Sequence, residues 1–362
     1  MNLLRIDPNA LAHNFNQIKT KLPASTRVIA VVKANAYGHG AVEVARQLVA
    51  LGADYLAVAY AQEGQVLRQA GITLPIMVFY PQPDSFQRII DQKLEPVLYS
   101  KDVWKQFTAL LTSGQKPYPV HIKYNTGLNR IGFAPEETEW VIEAAQTSPV
   151  RLISVYSHLG ESEGQRPHKG SDRQISSFLS IKQKHEKDTH HQPWFHLLNS
   201  SGIFNYPELH LDAVRCGIGL YGFANHPKWD RELRPIARLE SQIVQIHTLQ
   251  KGETVGYNQG WIAPHACRIA TLPLGHADGI GRHFGGQKAV VYLGKHKAPI
   301  LGNICMDMLM IDISAISCQL GDRVEFFGVE QTAADFAAVG QTISYELLTG
   351  LGPRIQRIWE AL

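Results

Sequence analysis

The sequence has little cysteine, no long apolar run and almost no net charge. Its four cysteines are scattered through 362 residues and form no Cys-x-x-Cys pair, which argues against a disulfide scaffold and a cysteine-based zinc site. No apolar stretch approaches the roughly 20 residues that a membrane helix needs. The formal net charge is +3, so we expect neither nucleic acid nor a membrane as a partner.

The N-terminal stretch MNLLRIDPNALAHNF contains Asp7 and lacks the continuous apolar core of a signal peptide. Together with the sparse cysteines, this predicts a soluble protein of the reducing cytoplasm. Hydrophobic residues make up 44% of the chain and charged residues 19%, which is typical of globular proteins and excludes extensive disorder. A chain of this length is expected to form two domains.

Short β-type runs alternate with helical periodicity between residues 27 and 217. The expected strands are Val28–Val32, Tyr55–Ala59, Pro75–Phe79, Pro96–Leu98, Val120–Tyr124, Leu152–Ser157, Trp194–Leu198 and Ala213–Cys216. The helices expected between them include Ala41–Leu51, Asp102–Leu111, Pro135–Gln146 and Ser171–Lys184. Eight strands with seven crossovers favour a closed (β/α)8 barrel of the TIM type, although an open doubly wound sheet would share much of this pattern.

After Gly222 the pattern changes. The stretch FANHPKWDRELRP carries two prolines and mixed charges, which predicts a connection between domains. The runs that follow are of β type and are expected at Ser241–Leu249, Arg268–Leu272, Lys288–Leu293, Met308–Ile313 and Arg323–Phe327. Clear helices are expected only over Thr332–Leu348, so the C-terminal domain is predicted to be mostly β.

Polar residues follow the ends of several expected barrel strands. They are Lys33, Lys123, Arg130, His158, the Asn-Ser-Ser-Gly segment at 199–202, and Arg215. In a parallel barrel, catalytic groups gather at the carboxyl ends of the strands. The sequence therefore predicts a cationic site at one mouth of the barrel.

Lys33 directly follows the apolar run VIAVV. Burial would lower the pKa of its ammonium group, and a neutral amine can attack an aldehyde. A lysine in this position can also simply extend from the rim into solvent.

The segments NSSG and CGIGLYG offer hydroxyls and backbone N–H groups for a phosphate, although a tight turn alone would explain the Gly-x-Gly. A reactive lysine beside a phosphate site points to pyridoxal phosphate.

The stretch HEKDTH at 185–190 is similar to a zinc-protease motif, but the spacing is wrong. His185 and His190 are five residues apart, whereas two ligands on one helical face need a separation of four. We therefore expect an exposed polar helix end there, and we predict no metal site.

At nine places the sequence resembles the alanine racemase family. AVVKANAYGHG at 30–40 is similar to that family's pyridoxal-phosphate signature. The other segments are KYNTGLNRIGF (123–133), YSHLG (156–160), LLNSSG (197–202), VRCGIGLYG (214–222), GETVGYNQGW (252–261), LPLGHADGIGR (272–282), GNICMDMLMIDI (302–313) and ISYELLTGLGPRIQR (343–357). They occur in the family's order and cover essentially the whole chain.

The resemblance implies a domain plan and an assembly. Residues 11–225 would form the barrel that binds pyridoxal phosphate, and residues 226–362 would form the mostly-β domain. Residues 1–10 would contribute a strand to that second domain. The resemblance also implies a head-to-tail homodimer with shared active sites, in which Tyr257 enters the partner's site.

The resemblance also implies roles for individual residues. Lys33 would bind the cofactor covalently, and Arg215 would bond its pyridine nitrogen with His158 behind it. The phosphate would be held by Tyr37, Ser200, Gly217, Ile218 and Tyr345. Arg130 would meet the cofactor's phenolic oxygen and the substrate carboxylate, which the backbone N–H of Met306 would also bind.

The implied reaction is the interconversion of L-alanine and D-alanine by two bases, Lys33 and Tyr257, to supply D-alanine for peptidoglycan. Arg215 fits this chemistry because arginine keeps its proton and leaves the ring a weaker electron sink than a carboxylic acid would. The alternatives are a racemase of another small amino acid such as serine, or a non-catalytic protein that binds pyridoxal phosphate.

The sequence departs from the family pattern at two positions near the site. Relatives usually have aspartate where this chain has Asn125, two residues after a lysine that is carbamylated in many members. Lys123 is the corresponding lysine, and its like-charge contact with Arg130 favours a carbamate. His276 replaces a tyrosine that tends to line the substrate entrance, so entry or substrate range is expected to differ.

Overall fold

The computed structural model describes residues 2–111, 116–164, 168–188 and 190–361. The chain divides into two compact units. The barrel unit comprises Leu11–Ala36 and Ala41–Arg234, and the C-terminal unit comprises Met1–Ala10, Tyr37–Gly40 and Pro235–Leu362.

The strands in chain order are β1 (Leu3–Ile6), β2 (Arg27–Val31), β3 (Tyr55–Val58), β4 (Ile76–Val78), β5 (Glu95–Leu98), β6 (Tyr118–Lys123), β7 (Val150–Tyr156), β8 (Trp194–His196), β9 (Ala213–Cys216), β10 (Ala237–Gln242), β11 (Gln245–Leu249), β12 (Thr254–Val255), β13 (Trp261–Ile262), β14 (Cys267–Leu272), β15 (Val290–Leu293), β16 (His296–Leu301), β17 (Leu309–Asp312), β18 (Arg323–Phe327) and β19 (Gln356–Trp359). The α-helices are Pro8–Thr20, Ala41–Ala50, Ala61–Gln69, Phe86–Asp91, Lys101–Thr108, Thr138–Thr147, Lys169–Glu186, Ser200–Asn205, Pro227–Asp230, Ala333–Val339 and Ser344–Thr349. In the described part of the chain, no helix combines the length and the apolarity that crossing a bilayer would require.

The barrel helices follow from capping and from apolar spacing. In helix Lys101–Thr108, the Ser100 hydroxyl accepts the N–H of Val103 at 3.2 Å and so caps the first turn. Val103, Trp104 and Phe107 are buried at the spacing of one helical face.

The barrel unit contains an eight-stranded parallel sheet in the order β8-β7-β6-β5-β4-β3-β2-β9. Two backbone hydrogen bonds join its ends: the N–H of Asp212 donates to the carbonyl of Phe195 at 3.1 Å, and the N–H of Arg215 donates to that of Leu198 at 3.0 Å. The sheet therefore closes, and the predicted (β/α)8 barrel is confirmed. The eight expected strands overlap β2–β9 in order.

The inside of the barrel carries polar and aromatic side chains. His121 and Lys123 are two residues apart on β6, and Ser154 and Tyr156 are two residues apart on β7, so each pair shares a face. These four side chains are buried, as is Arg215 on β9. Barrel interiors are usually filled by branched apolar residues, so this polar filling needs a specific explanation.

The stretch predicted to connect the domains is folded onto the barrel. Trp229, in helix Pro227–Asp230, stacks on Phe204 with ring centroids 5.5 Å apart. Asn14 donates to the carbonyl of Arg234 at 2.7 Å and accepts its N–H at 2.8 Å. These contacts explain why the barrel unit extends to residue 234.

The C-terminal unit contains a nine-stranded sheet in the order β11-β14-β17-β16-β15-β18-β10-β1-β19. β1 runs antiparallel to β10 and parallel to β19. Apart from the first residues of helix Pro8–Thr20, the described part of this unit contains two α-helices, Ala333–Val339 and Ser344–Thr349, so the predicted mostly-β C-terminal domain is confirmed.

The prediction of one strand over Ser241–Leu249 is wrong. This stretch contains the end of β10, which pairs with β18, and all of β11, which pairs with β14. Between them, the N–H of Ile243 donates to Asp322 and the N–H of Val244 donates to Thr271, each at 3.0 Å. The chain therefore changes its pairing partner within a continuous β-type run.

The expectation that His185 lies at an exposed helix end is also wrong. His185 is buried near the end of helix Lys169–Glu186, and its Nε2 lies 2.9 Å from the hydroxyl of Tyr124. Burial lowers the pKa of His185 to about 4, so the imidazole is neutral in the folded chain at neutral pH. The described residues contain no cluster of histidine, cysteine or carboxylate side chains suited to a metal ion.

Candidate active site

Lys33 follows β2 and begins a left-handed turn. The φ angles of Ala34, Asn35, Ala36 and Tyr37 lie between +52° and +53°. A left-handed conformation costs about 1–2 kcal/mol for each non-glycine residue, so four in succession cost roughly 4–8 kcal/mol. Strain of this kind persists only where surrounding contacts impose it, and it is concentrated at functional sites.

Hydrogen bonds from two side chains hold the turn. Glu63 accepts the N–H of Ala34 at 2.6 Å through one carboxylate oxygen and the N–H of Ala59 at 2.7 Å through the other. Asn35 accepts the N–H of Ala41 at 2.9 Å. Because Ala59 follows β3, the Glu63 carboxylate ties the turn after β2 to the loop after the neighbouring strand.

The pKa of Lys33 is lowered from its ordinary value. Burial is the main cause, the positive charges of Arg130 and Arg215 lower the pKa further, and the negative charge of Glu63 opposes them. The Lys33 amine therefore loses its proton more readily than a solvated lysine. This is the condition a lysine needs in order to act as a nucleophile or a base.

Lys123, the last residue of β6, has its pKa lowered to about 7. Burial is again the main cause, followed by the charges of Arg130, Arg215 and Lys33. Its Nζ lies 5.9 Å from the centre of the Tyr156 ring. The site therefore collects four basic side chains, and three of them, Lys33, Lys123 and Arg215, have lowered pKa values.

Asn125 organises the loop that carries Arg130. Its Oδ1 accepts the N–H groups of Gly127 and Asn129 at 3.2 and 2.9 Å, and its Nδ2 donates to Oδ1 of Asn129 at 3.0 Å. Arg130 itself is exposed in the single chain. Being neutral, Asn125 shapes this loop without compensating the positive charge around it.

Arg215 is buried and fixed by both of its terminal nitrogens. Nη1 donates to Nδ1 of His196 at 2.7 Å. Nη2 donates to the carbonyls of Ser157 and Leu197 at 2.8 Å and to Nδ1 of His158 at 3.1 Å. Burial lowers the pKa of Arg215 to about 10, so the guanidinium stays charged at neutral pH.

Aromatic and imidazole rings surround the Arg215 guanidinium. The Tyr156 ring stacks on His196, with centroids 4.7 Å apart and planes 8° apart. The guanidinium carbon of Arg215 lies 4.8 Å from the centre of the same Tyr156 ring. Burial, and then the charge of Arg215, hold the pKa of His158 well below its usual range. His158 is therefore neutral, and its Nδ1 can accept from Arg215.

Ser200, Gly217 and Ile218 lie together beside Arg215. The Ser200 hydroxyl accepts the N–H groups of Gly217 and Gly219 at 3.0 and 3.1 Å. A Cβ on Gly219 would lie 3.3 Å from both Cβ and Oγ of Ser200, so a side chain there would strain this close approach. Hydroxyl and backbone N–H groups gathered in this way suit a phosphate.

Tyr37 and Tyr345 lie in the C-terminal unit, with ring centroids 6.0 Å apart. Gly38 packs tightly there, because a Cβ on it would come within 2.1 Å of the Leu348 carbonyl oxygen. The Gly38 carbonyl accepts from Nε of Arg357 at 3.1 Å. This short segment is therefore firmly held within its own unit.

Tyr257 and Met306 are exposed on the C-terminal unit, with 70% and 59% of their surface accessible. Asn303 donates to the carbonyl of Tyr257 at 3.0 Å. The N–H of Ala277 donates to the carbonyl of Met306 at 3.0 Å, and the neighbouring His276 N–H makes a similar bond to the same loop. The exposed side chains are thus carried by an ordered pair of loops.

The predicted site residues fall into two groups. Those in the barrel unit are Lys33, Lys123, Arg130, His158, Ser200, Arg215, Gly217 and Ile218. Those in the C-terminal unit are Tyr37, Tyr257, Met306 and Tyr345. In the barrel unit, the charges of Arg130 and Arg215 lower the pKa values of Lys33, Lys123 and His158.

Three residues at the site were not predicted from the sequence. His196 and Tyr156 pack on the Arg215 guanidinium, and Glu63 holds the turn after Lys33. The period of two along β6 and β7 could have placed Tyr156 on the same barrel face as Lys123. Nothing in the sequence marks Glu63, since a glutamate in the first turn of a helix ordinarily only caps it.

Comparison with known proteins gives consistent matches over nearly the whole chain. The family model described as "Alanine racemase, N-terminal domain" matches residues 6–225, and the model "Alanine racemase, C-terminal domain" matches residues 236–359. An alanine racemase of Clostridium perfringens is 34% identical, over 98% of this chain and 94% of its own. One from Nostoc sp. is 35% identical, over 98% of this chain and 95% of its own.

Solved structures agree with these sequence matches. The alanine racemase of Clostridium difficile superposes with a TM-score of 0.93 at 33% identity, covering 99% of this chain and 95% of that one. The alanine racemase of Bacillus anthracis with bound L-Ala-P gives 0.91 at 28% identity, with the same coverage. This chain therefore belongs to the alanine racemase family.

Proposed function

We propose that this protein interconverts L-alanine and D-alanine with pyridoxal 5'-phosphate as its cofactor. The observation that carries the proposal is the pairing of Lys33, whose pKa is lowered, with the buried and rigidly held cation of Arg215. The name shared by the relatives supports alanine as the substrate.

The barrel unit offers groups that suit pyridoxal phosphate. When bound, this cofactor supplies an aldehyde for a lysine amine and a ring that accepts electrons from the substrate's α-carbon. Lys33 is the proposed covalent partner, because its amine is the readily deprotonated one beside the strained turn. Ser200, Gly217 and Ile218 are the proposed phosphate ligands on the barrel, and Tyr37 and Tyr345 are those of the C-terminal unit.

Arg215 is the proposed partner of the pyridine nitrogen, with neutral His158 behind it. Among the described residues, the hydrogen bonds of this guanidinium all use its two Nη atoms, which leaves Nε–H as the donor for a ligand. A guanidinium with a pKa of about 10 keeps its proton at neutral pH. It therefore donates a hydrogen bond without protonating the ring, which favours return of a proton to the α-carbon over amino-group transfer.

Racemisation removes a proton from one face of the α-carbon and delivers one to the other, so it requires an acid–base group on each face. Lys33 is the proposed group on one face. Tyr257 of the partner subunit is proposed for the other, and the 70% exposure of the Tyr257 side chain in the single chain supports a role towards another molecule. A tyrosine, with an ordinary pKa near 10, needs nearby positive charge to act as a base, and Arg130 is exposed to supply it.

The assembly that follows is a homodimer with shared active sites. Arg130 and the backbone N–H of Met306 would hold the substrate carboxylate, and Arg130 would also meet the cofactor's phenolic oxygen. Both residues are exposed on the single chain, as groups completed by a second copy would be. We place the reaction in the cytoplasm, where D-alanine would serve peptidoglycan synthesis.

Lys123 is proposed to carry a carbamate. Its neighbours Arg130, Arg215 and Lys33 are all cationic, and each lowers its pKa. A lysine with a pKa of about 7 is substantially neutral at physiological pH, and the neutral amine is the form that reacts with carbon dioxide. The resulting negative charge would turn a repulsive contact with Arg130 into an ion pair.

The test incubates the purified protein with pyridoxal phosphate and L-alanine in heavy water, following the α-proton by NMR and the enantiomers by chiral chromatography. Loss of the α-proton with appearance of D-alanine is expected, and Lys33→Ala should abolish both. Exchange without D-alanine would contradict the second base. If serine racemises faster than alanine, the proposed substrate is wrong. Bound cofactor without exchange on either amino acid would point to a non-catalytic binding protein.

A further inference from the structure

Five polar side chains form one continuous hydrogen-bond chain across the inside of the barrel. Each comes from a different strand, and the five strands β5 to β9 are neighbours in the closed sheet. Nε2 of His121 lies 3.0 Å from the Glu95 carboxylate, and Nδ1 of His121 lies 2.6 Å from the Ser154 hydroxyl. That hydroxyl lies 3.0 Å from Nε2 of His196, whose Nδ1 lies 2.7 Å from Nη1 of Arg215. All five side chains are buried.

Hydrogen-bond chemistry fixes the direction of this chain. Arginine can only donate, so Nδ1 of His196 must accept from Arg215 and carries no proton. Nε2 of His196 then holds the ring proton and donates it to Ser154. The Ser154 hydroxyl therefore donates onward to Nδ1 of His121, whose Nε2–H donates to Glu95.

If His121 were protonated on both nitrogens, one hydrogen-bond donor of the chain would have no acceptor. If His121 were an imidazolium, both of its nitrogens would donate, and Ser154 would accept from two histidines with its own hydrogen left without a partner along the chain. A buried donor without a partner destabilises the folded state. Burial, followed by the charge of Arg215, also holds the pKa of His196 well below its usual range, in accord with a neutral ring there.

Two aromatic rings flank this hydrogen-bond chain at His121. The ring of Tyr55 meets His121 edge-on, with centroids 5.9 Å apart, and Trp194 approaches the same imidazole at 6.0 Å. The chain thus has a carboxylate at one end, a guanidinium at the other, and only neutral relays between them. In a buried setting, such hydrogen bonds polarise one another.

We propose that Glu95, His121, Ser154 and His196 are positioning residues that hold Arg215 as an oriented cation, with the Glu95 charge acting on Arg215 through the two imidazoles. For its expected effect on catalysis, this proposal rests on the function proposed above. In this proposal Glu95, at the far end of the hydrogen-bond chain, is the counterion of Arg215. Through this chain, Glu95 makes Nδ1 of His196 a stronger acceptor for Arg215.

The test uses four variants of the full-length protein. Glu95→Gln keeps the shape and the acceptor but removes the charge, and Ser154→Ala interrupts the chain. The double variant tests whether the two act in series. Ser241→Ala is the matched control, because Ser241 is also a buried serine, and it hydrogen-bonds Asn2 at 2.7 Å in the C-terminal unit.

The first readout is ¹⁵N NMR of labelled histidines, with and without added pyridoxal phosphate. His196 is expected as a neutral ring with its proton on Nε2 between pH 6 and 9, and His121 is expected to carry a proton on the Nε2 that faces Glu95. Glu95→Gln should shift the His196 resonances, although the two residues do not touch, and should have no such effect once Ser154 is alanine. Finding the proton of His196 on Nδ1, or an equal shift in both backgrounds, would overturn the proposal.

The second readout is racemase kinetics of the loaded enzyme. Glu95→Gln and Ser154→Ala should each lower kcat about 5- to 30-fold, with KM for alanine nearly unchanged, and the double variant should be no worse than Ser154→Ala. Additive losses, or an equal loss in Ser241→Ala, would contradict a chain acting on Arg215. If the wild type fails to racemise alanine while the tautomers are as expected, the proposed function is wrong but the hydrogen-bond chain is supported.

Discussion

Replacing Lys123 by methionine should stabilise the protein near neutral pH when carbon dioxide is excluded. Lys123 is buried at the end of β6 among three other cations. Methionine has a similar length and fills the same space without a charge. The folded chain would then no longer have to bury an ammonium group beside Arg130 and Arg215.

The size of the effect follows from the pKa of Lys123. The folded value of about 7 lies 3.5 below the ordinary 10.5, and each pH unit corresponds to about 1.4 kcal/mol. The charged lysine therefore costs the folded state about 5 kcal/mol. With an unfolding entropy of about 2.1 cal/mol/K per residue over 362 residues, this amounts to roughly 6 °C in Tm.

The pH dependence gives this prediction its sign. Below pH 7, Lys123 is protonated in both the folded and the unfolded chain, so the full cost is present. Between pH 7 and 10.5 the unfolded chain binds the extra proton, and wild-type stability rises with pH. The Tm advantage of Lys123→Met should thus be largest below pH 7 and vanish near pH 10.5, as measured by calorimetry in buffers purged of carbon dioxide.

Bicarbonate provides the second arm of the experiment. Adding ¹³C-bicarbonate at pH 7.5 should raise the Tm of the wild type and give a carbamate signal in ¹³C NMR, and neither should occur in Lys123→Met. A variant that is less stable than the wild type in purged buffer would refute the claim that burial of this charge is costly. A wild type that ignores bicarbonate would refute the carbamate.

Three further changes have distinct expected outcomes. Tyr257→Phe should suppress α-proton exchange from one alanine enantiomer far more than from the other, measured as separate exchange rates in heavy water; equal losses would contradict two bases. Gly219→Ala should weaken pyridoxal phosphate binding about tenfold, because its Cβ would lie 3.3 Å from the Ser200 hydroxyl; cofactor titration by absorbance would show unchanged affinity if this packing is irrelevant. The pKa of His185 is about 4 in the folded chain and ordinarily 6.5. Because the unfolded chain binds the proton first, the free energy of unfolding should decrease by about 3 kcal/mol as the pH falls from 6.5 to 4. His185→Gln should flatten that part of the Tm profile, and an unchanged slope would rule this histidine out as its cause.

The fold was largely predictable because the barrel strands are short apolar runs separated by helical periodicity. β9 was predicted with its observed bounds, Ala213–Cys216. The C-terminal sheet was harder to predict, since its strands carry no strong alternation. β16 contains Pro299 within the sequence HKAPIL and is paired on both sides, and a proline argues against a strand when only the sequence is known.

The sequence predicted those site residues whose own side chain suggests a function. It did not predict residues whose role depends on contacts between different strands. Lys33 and Arg215 stand out because a cation at a strand end needs a reason. Glu95 and His196 do not stand out, since each is an ordinary polar residue in its own segment. Only closure of the barrel brings their strands into one network, and no local sequence pattern indicates that these residues lie close together.

The left-handed turn after Lys33 limits which residues natural or laboratory selection can accept there. Ala34 and Ala36 have no reactive group, yet their positive φ angles exclude β-branched side chains, which such a backbone tolerates poorly. In a saturation library screened for function, both positions should accept glycine and reject valine, isoleucine and threonine, and only the exposed position 34 should also accept asparagine. The range of residues accepted in this segment, which has no chemistry of its own, would then be limited by the backbone conformation alone.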